Sequence, residues 1–480
     1  MEAKKIYTEK RPKYNAKAIM FVLLLGSFIA LFNETILNVA FPKLMVEMHI
    51  TATTAQWLTT GYVLVVGILV PVTAFLIHTF TTKQLFLSAM VLFLIGTLCA
   101  VFSSTFTALL ISRIIQALGT GMLIPIMMNS ALVVTPPEKR GSIMGLCVCI
   151  ITLGPALGPA VSGLLLQHFS WHSLFVLLIP ILLICIIGGY FYLENISVIT
   201  KPKIDYLSIL LSTIGFAGII YSVSSAGNSS LLSTAVVFVI GFIALIFFCK
   251  RQLSLKQPIL EIRSFRHPIF AIGVLLIILM QMFNFSINVI LPLLLQNGLK
   301  TSSFTSAMAI LPPILVGCVL TPFVGKIYDK IGGSILIPLG FLVACIFTFM
   351  LSRISPSTPI RTITLIYCAI MVGTSMSMST TQTTSLSELS GKNQADGVAI
   401  VNTGMQIAGA LGSALFVGVM TAYQNIYLKN MNSGADPSSQ VKAIYIGFSR
   451  SVTVAAVLIG IGFILSLILS KKSRTKDSVK

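Results

Sequence analysis

The chain has 480 residues, of which 56% are hydrophobic and only 9% charged. That balance excludes a soluble globular domain or a disordered chain and points to a polytopic membrane protein. The formal net charge of +19 does not signal nucleic-acid binding, because the basic residues sit in tails and short loops between apolar runs, where they set topology.

Fourteen apolar runs are long enough to cross a bilayer, which asks for about 17–25 residues each. A basic tail (1–17) leads into Ala18–Phe41, which is too long and lacks the cleavage site of a signal peptide, so it reads as a span. It carries Asn33, Glu34 and Asn38. Gln56–His78 and Leu85–Phe102 follow, then Ala108–Met128, with Arg113 and Gln116 inside and Asn129 just beyond. Ser142–Leu166 contains Gly154, Pro155, Gly158, Pro159, Ser162 and Gly163. Prolines and glycines that close together would break a soluble helix. In a membrane, neighbouring helices can satisfy the backbone groups they free. Gly154, Gly158 and Ser162 share one face, with Pro155, Pro159 and Gly163 beside it. This stripe suits either close helix packing or a hinge between two moving bundles. Leu174–Leu193 completes a first set of six spans (18–200).

Tyr206–Ser224 and Leu231–Phe248 form a separate pair (201–250). The basic, partly apolar stretch 251–268 is expected to lie along the membrane surface. Six more spans follow (269–470): Ile269–Leu291, Ala307–Gly325, Ile335–Leu351, Ile363–Ser379, Val398–Met420 and Val452–Leu469, then a basic tail (471–480). Tyr423–Arg450 reads as the longest outer loop. The pattern of Phe32–Pro42 returns at Phe283–Pro292 with one residue missing, and the same offset of 251 relates Pro71 to Pro322, His78 to Asp329, Gly158 to Gly409 and Ser162 to Ser413. The chain therefore holds two related six-span halves in the same orientation, with two spans inserted between them.

With both termini in the cytoplasm, 24 Lys and Arg fall inside and 7 outside. This satisfies the positive-inside rule and places the chain as a multi-pass protein of the cytoplasmic membrane, its tails touching anionic lipid. Glu34 and Arg113 are the charges that fall deep within spans, where each costs about 2.5–3.5 kcal/mol on insertion scales. Glu34 lies eight residues before Pro42 and Arg113 eight residues after Thr105, at the outer ends of their spans, or about 12 Å deep. An ion pair or a shared polar network is expected. Glu34 suits a proton carrier, because an apolar cavity favours the neutral acid and a nearby arginine the ionised one. A structural salt bridge is the alternative.

Asn33, Asn38, Gln116, Asn129, Gln281, Asn284, Asn288, Asn402 and Gln406 are candidates to line a wet cavity between the halves, or else to glue helices together. Asp329, in the turn bounded by Gly325 and Gly332, is placed to cap a helix N-terminus and act as a conformational latch. The equivalent position in the first half holds His78. The eight cysteines show no disulfide or metal spacing. Without a Walker, HExxH or GxSxG motif, neither ATP nor a metal or other cofactor is expected, and an enzyme is unsupported.

These motifs resemble those of the fourteen-span drug:proton antiporters of the major facilitator superfamily (the EmrB/QacA group), with the lincomycin-efflux branch nearest. Arg113–Gly121 is similar to that family's span 4 motif, whose arginine is tied to proton transfer. Gly154–Gly163 is similar to its span 5 antiporter motif, Gly325–Gly333 to its cytoplasmic loop signature, and Asn33–Pro42 to its span 1 motif. Asn33 stands where the family usually has Asp, with the acid one place later. The resemblance implies an all-α major facilitator fold of 14 transmembrane helices. It further implies a monomer, driven by the proton gradient, that exports amphipathic drugs such as lincosamide-like antibiotics or dyes by alternating access, with no nucleic-acid partner. Export of an endogenous lipid or metabolite is the runner-up, and proton-coupled uptake a more distant one.

Overall fold

The computed structural model describes residues 15–196, 199–200, 205–224, 231–255, 258–389, 393–430 and 437–477. In chain order the long helices are α1 (Ala16–Ile36), α2 (Ala52–Thr79), α3 (Thr82–Val101), α4 (Phe106–Val134), α5 (Arg140–Leu165), α6 (Leu178–Tyr192) and α7 (Tyr206–Ser224). Then follow α8 (Leu231–Ser254), α9 (Pro268–Leu293), α10 (Ser303–Ile331), α11 (Gly333–Leu351), α12 (Ile360–Ser387), α13 (Asn393–Asn430) and α14 (Pro437–Asp477). Thirteen membrane-length apolar helices are present among the described residues, and α7 supplies a shorter one. The fold is all helical there. The end at which α1 begins and α14 finishes is called inner, the opposite end outer.

Local sequence sets the helix starts. Thr51, Thr105 and Ser302 each accept a hydrogen bond from the backbone N–H three residues on. Thr81 and Gln84 form a reciprocal capping box. The first span is shorter than its apolar run suggests. Its helix stops at Ile36, Asn38–Ala40 make a 3-10 turn, and a short helix, Phe41–Glu47, leads off from Pro42. Pro42 disfavours helical backbone before it and is tolerated in a first turn. The stretch read as a long loop, Tyr423–Arg450, is mostly helix instead. Here α13 runs on to Asn430 and α14 begins at Pro437, with Ala443, Tyr445 and Phe448 buried. Polar composition alone hid helices that continue past the apolar window.

Within the first half, α1 packs on α4 and α5, α2 on α4, and α3 on α4; in the second half, α9 packs on α13, and α11 on α12 and α14. The inserted α7 and α8 pack on each other, and α7 lies against α2 and α13. Trp57 on α2 and Tyr221 on α7 bring their rings within 5.8 Å. The inner base of this hairpin is polar. Arg251 grips Asp205 through two hydrogen bonds of 2.7 and 2.9 Å, which hold the Asp205 carboxyl down to about 2. The stabilisation is complete above the ordinary carboxylate range of about 4 and fades only as pH falls towards 2. Gln252 accepts from the backbone of Ile259 and Leu260. These two apolar residues of the 251–268 stretch are buried in the protein rather than turned to the membrane surface, while Phe265 stays exposed.

Candidate functional site

Arg113 is fully buried on α4, and the end of α1 explains what holds it there. A helix leaves its last four carbonyls without intrahelical partners, and α1 ends at Ile36. Arg113 donates to two of them, Asn33 O at 3.0 Å and Glu34 O at 3.2 Å. It also donates to Leu58 O on α2 and to Gln116 Oε1 one turn along α4. A cation at a helix C-terminus also meets the favourable end of the helix dipole. Below the guanidinium lies the ring of Tyr62, 4.1 Å away. The Tyr62 hydroxyl is 2.5 Å from Thr120 Oγ1. Asn33 Nδ2 donates to Gln116 Oε1 at 3.1 Å, and Gln116 Nε2 to Thr97 at 3.0 Å.

Asn33, Arg113 and Gln116 therefore meet in one network, joined by Glu34 through its backbone. The ion pair expected between Glu34 and Arg113 is absent: among the described residues the Glu34 carboxylate has no cation within 4.0 Å. Matching depth did not fix direction. Asn33 points into the network, and Glu34, about 100° further round the helix, is only partly buried. The arginine's charge is spent on carbonyls and the acid is left beside it unpaired. Tyr62 and Leu58 were missed, because an aromatic or a backbone carbonyl carries no charge signal in a sequence.

The other polar candidates are spread along the helices. Asn38 is exposed beyond the end of α1 and accepts from Thr59. Asn288 is exposed on α9 and donates to Asn284 O. Gln281 and Asn129 are buried and Gln406 half-buried. Asn402 on α13 reaches across to α4, its amide 3.3 Å from Met128 Sδ.

The stripe on α5 packs inside its own half. A Cβ on Gly154 would stand 2.7 Å from Leu31 Cβ, and one on Gly158 would collide with Thr35 and come 3.0 Å from Phe32 O. Pro159 has no N–H to offer Pro155 O, so Thr35 Oγ1 donates to that carbonyl at 2.8 Å. Gly163 faces open space. The hinge reading placed this stripe between the halves; the structure puts it against α1. The equivalent glycines of α13 likewise face α9, with Gly409 on Phe285 and Gly412 on Met282.

Contact between the halves falls instead at the inner end of α5. A Cβ on Gly145 would stand 2.7 Å from Thr321 O of α10, and Gly141 and Gly325 lie backbone to backbone. The spacing Gly141-xxx-Gly145 is a small-xxx-small signal that drew less notice than the proline-rich stripe. Asp329, from the end of α10, accepts from the backbone N–H of Gly141 at 2.7 Å and of Ser142 at 2.9 Å, and from the Ser142 hydroxyl. It thus caps the first turn of α5 from the other half. Gly332, at φ 74°, ends α10 just beyond it. At the related position His78 on α2 lies 3.6 Å from Asp396 on α13, both buried. The acid missing from the first loop has a counterpart on the opposing helix, two residues ahead of the Val398–Met420 run, where it drew no notice in the sequence. These contacts close the inner end of the molecule in this conformation.

The sequence profile of the Major Facilitator Superfamily matches residues 23–413. The chain is similar to "Lincomycin resistance protein LmrB" of Bacillus subtilis, 40% identical over 94% of this chain and 95% of the relative. The protein of the same name in Listeria monocytogenes is 39% identical, covering 94% and 96%. "Putative multidrug resistance protein MdtD" of Pectobacterium carotovorum is 23% identical, covering 82% and 85%. Among solved structures, the human organic anion transporter MFSD10 (TETRAN) aligns with TM-score 0.64 at 11% identity, over 95% of this chain and all of that one. The proton:xylose symporter XylE aligns with TM-score 0.62 at 17% identity, over 92% and 94%. At such identities these two structures speak for the fold alone.

Proposed function

This chain belongs to the Major Facilitator Superfamily, and on that footing we propose that it exports amphipathic, lincosamide-like drugs from the cytoplasm in exchange for protons. The inner end is then the cytoplasmic end, both tails lie in the cytoplasm, and the protein works in the cell membrane as a monomer. No cofactor is needed, because the proton gradient drives the cycle. The observation that carries the reading is the arrangement of α1 and α4: an unpaired acid, Glu34, beside a buried arginine already held by backbone carbonyls. An acid tied in a salt bridge is locked in its ionised form. One left free beside a fixed cation can take or lose a proton when its surroundings change between water and apolar protein. One proton moving inwards releases about 2.3 kcal/mol per 100 mV, enough to drive an outward drug step.

Alternating access follows from the seams. The Asp329 cap and the His78–Asp396 pair hold the inner end shut while the α1–α5 and α9–α13 packing keeps each half rigid. The names of the relatives support an antibiotic as cargo. The test is transport of lincomycin by the purified protein in liposomes with an imposed pH gradient. Uptake above equilibrium into acid-loaded vesicles, collapsed by a protonophore, is expected. Uptake indifferent to the gradient would remove the coupling, and no uptake the substrate assignment.

A further inference from the structure

Helix α12 carries an unusual run for a membrane, Thr374–Ser385, in which all but Met376 and Met378 are Ser, Thr or Gln. Most of its hydroxyls bond back to the carbonyl one turn earlier, as Ser375, Ser377, Thr380, Thr383 and Ser385 do. Ser379, Thr381 and Gln382 do not follow this rule, and the first and last lie one turn apart towards α13. Ser379 Oγ and Gln382 Oε1 are fully buried without a hydrogen-bond partner, and so is Thr403 Oγ1 on the facing α13. Of the amides nearby, Gln382 has only sulfur to donate to, while Asn402 also donates back to Val398 O at 2.9 Å. Gln382 Nε2 lies 3.5 Å from Met405 Sδ, and Asn402 Nδ2 lies 3.3 Å from Met128 Sδ. Asn402 and Met405 are one turn apart on α13, and Ser379 and Gln382 one turn apart on α12, so the contacts run α4 to α13 to α12. Buried polar groups are ordinarily paired, and each exception needs a reason. Simple helix glue is not that reason, since glue would form the bonds missing here.

We propose that these groups are the collapsed lining of a cytoplasmic intake vestibule, which opens when the Asp329 and His78 seams part. The proposal rests on the export reading above and names its cargo more narrowly. Opened, the lining offers amide and hydroxyl donors and acceptors, mobile thioethers and no charge of its own. Arg113 lies fifteen residues further along α4, on the order of 20 Å away. The lining itself therefore suits an uncharged, hydroxyl- or amide-bearing amphipath, the carboxylates of Asp329 and Asp396 lying at the mouth and not in the lining. Methionine sulfur adapts to varied apolar shapes, which suits a first site of loose selectivity.

Two variants test this, the double change Ser379→Ala with Thr403→Val, and Gln382→Leu alone. Removing unpaired buried polar atoms in favour of apolar isosteres does not cost stability. The purified variants should keep or raise the parent's Tm. The KM for lincomycin presented on the inner side should rise about tenfold, the loss of one or two neutral hydrogen bonds, with Vmax kept. An unchanged KM at equal or higher Tm would overturn the vestibule and leave a structural cluster. A second readout needs no drug. Ser379→Cys should react with an impermeant maleimide added on the inner side, read at that residue by mass spectrometry, and faster when combined with Asp329→Asn. No labelling in either background overturns the proposal. If the parent fails to carry lincomycin while the labelling appears, the substrate assignment falls and the vestibule stands.

Discussion

Arg113→Lys is expected to abolish drug transport, to below about one hundredth of the parent rate. The guanidinium serves four acceptors on α1, α2 and α4 at once, namely Asn33 O, Glu34 O, Leu58 O and Gln116 Oε1. Its plane also lies over Tyr62. A lysine ammonium is a point charge with three donors and no plane, and it cannot reproduce that fork. Each lost bond to a charged donor is worth about 1.5–3 kcal/mol. Losing two therefore leaves the C-terminal carbonyls of α1 without partners in a membrane, where nothing else can satisfy them. The cap also sets the direction of Glu34, so the acid should lose its position along with the helix end. Transport in liposomes checks the rate, and size-exclusion of the detergent-solubilised protein checks that the chain still folds. A folded Arg113→Lys protein with half the parent activity would show that charge alone suffices and that the carbonyl cap is incidental.

Asp329→Asn should release the inner end. The carboxylate accepts two backbone N–H bonds and one hydroxyl at the start of α5. An anion there also meets the positive end of the helix dipole. An amide keeps one acceptor and loses the charge. The closed conformation is expected to weaken by about 3 kcal/mol or more, a shift of about a hundredfold in the balance of conformations. Native Cys318, buried on α10 beside this seam, reports it. Its reaction with an impermeant maleimide from the inner side should accelerate by at least tenfold, and gradient-driven export should fall by a similar factor. Labelling at the parent rate would mean that Asp329 caps α5 without governing the opening.

Much of this architecture is written in one dimension. Span length follows from the bilayer's demand on each segment, so the all-helical fold and the thirteen membrane-length helices among the described residues are legible. A polar network around Arg113 is expected too, but with Glu34; its side-chain members are Asn33 and Gln116, which read as cavity candidates. Azimuth and helix ends are not legible in the same way. Depth placed Glu34 level with Arg113, but the one-residue shift from Asn33 turned its carboxylate aside. The carbonyls that Arg113 binds became available only because α1 stops at Ile36, before Pro42, a boundary that an apolar run conceals. The glycine stripe on α5 advertised close contact without saying with which partner. Two stripes on one helix, Gly141–Gly145 and Gly154–Gly158, face different halves. Asp396 was invisible for the opposite reason: an acid at a helix start is ordinary until His78 is found 3.6 Å away.

The central claim is that Glu34 carries the exchanged proton. It is tested most directly by comparing two modes of lincomycin transport in Glu34→Gln liposomes. Gradient-driven accumulation requires the proton step. Exchange of labelled for unlabelled drug, with no gradient, requires only the moving halves. The account predicts that Glu34→Gln loses accumulation and keeps exchange near the parent rate. Accumulation that survives in Glu34→Gln with the parent's dependence on the pH gradient would contradict it and place the proton elsewhere.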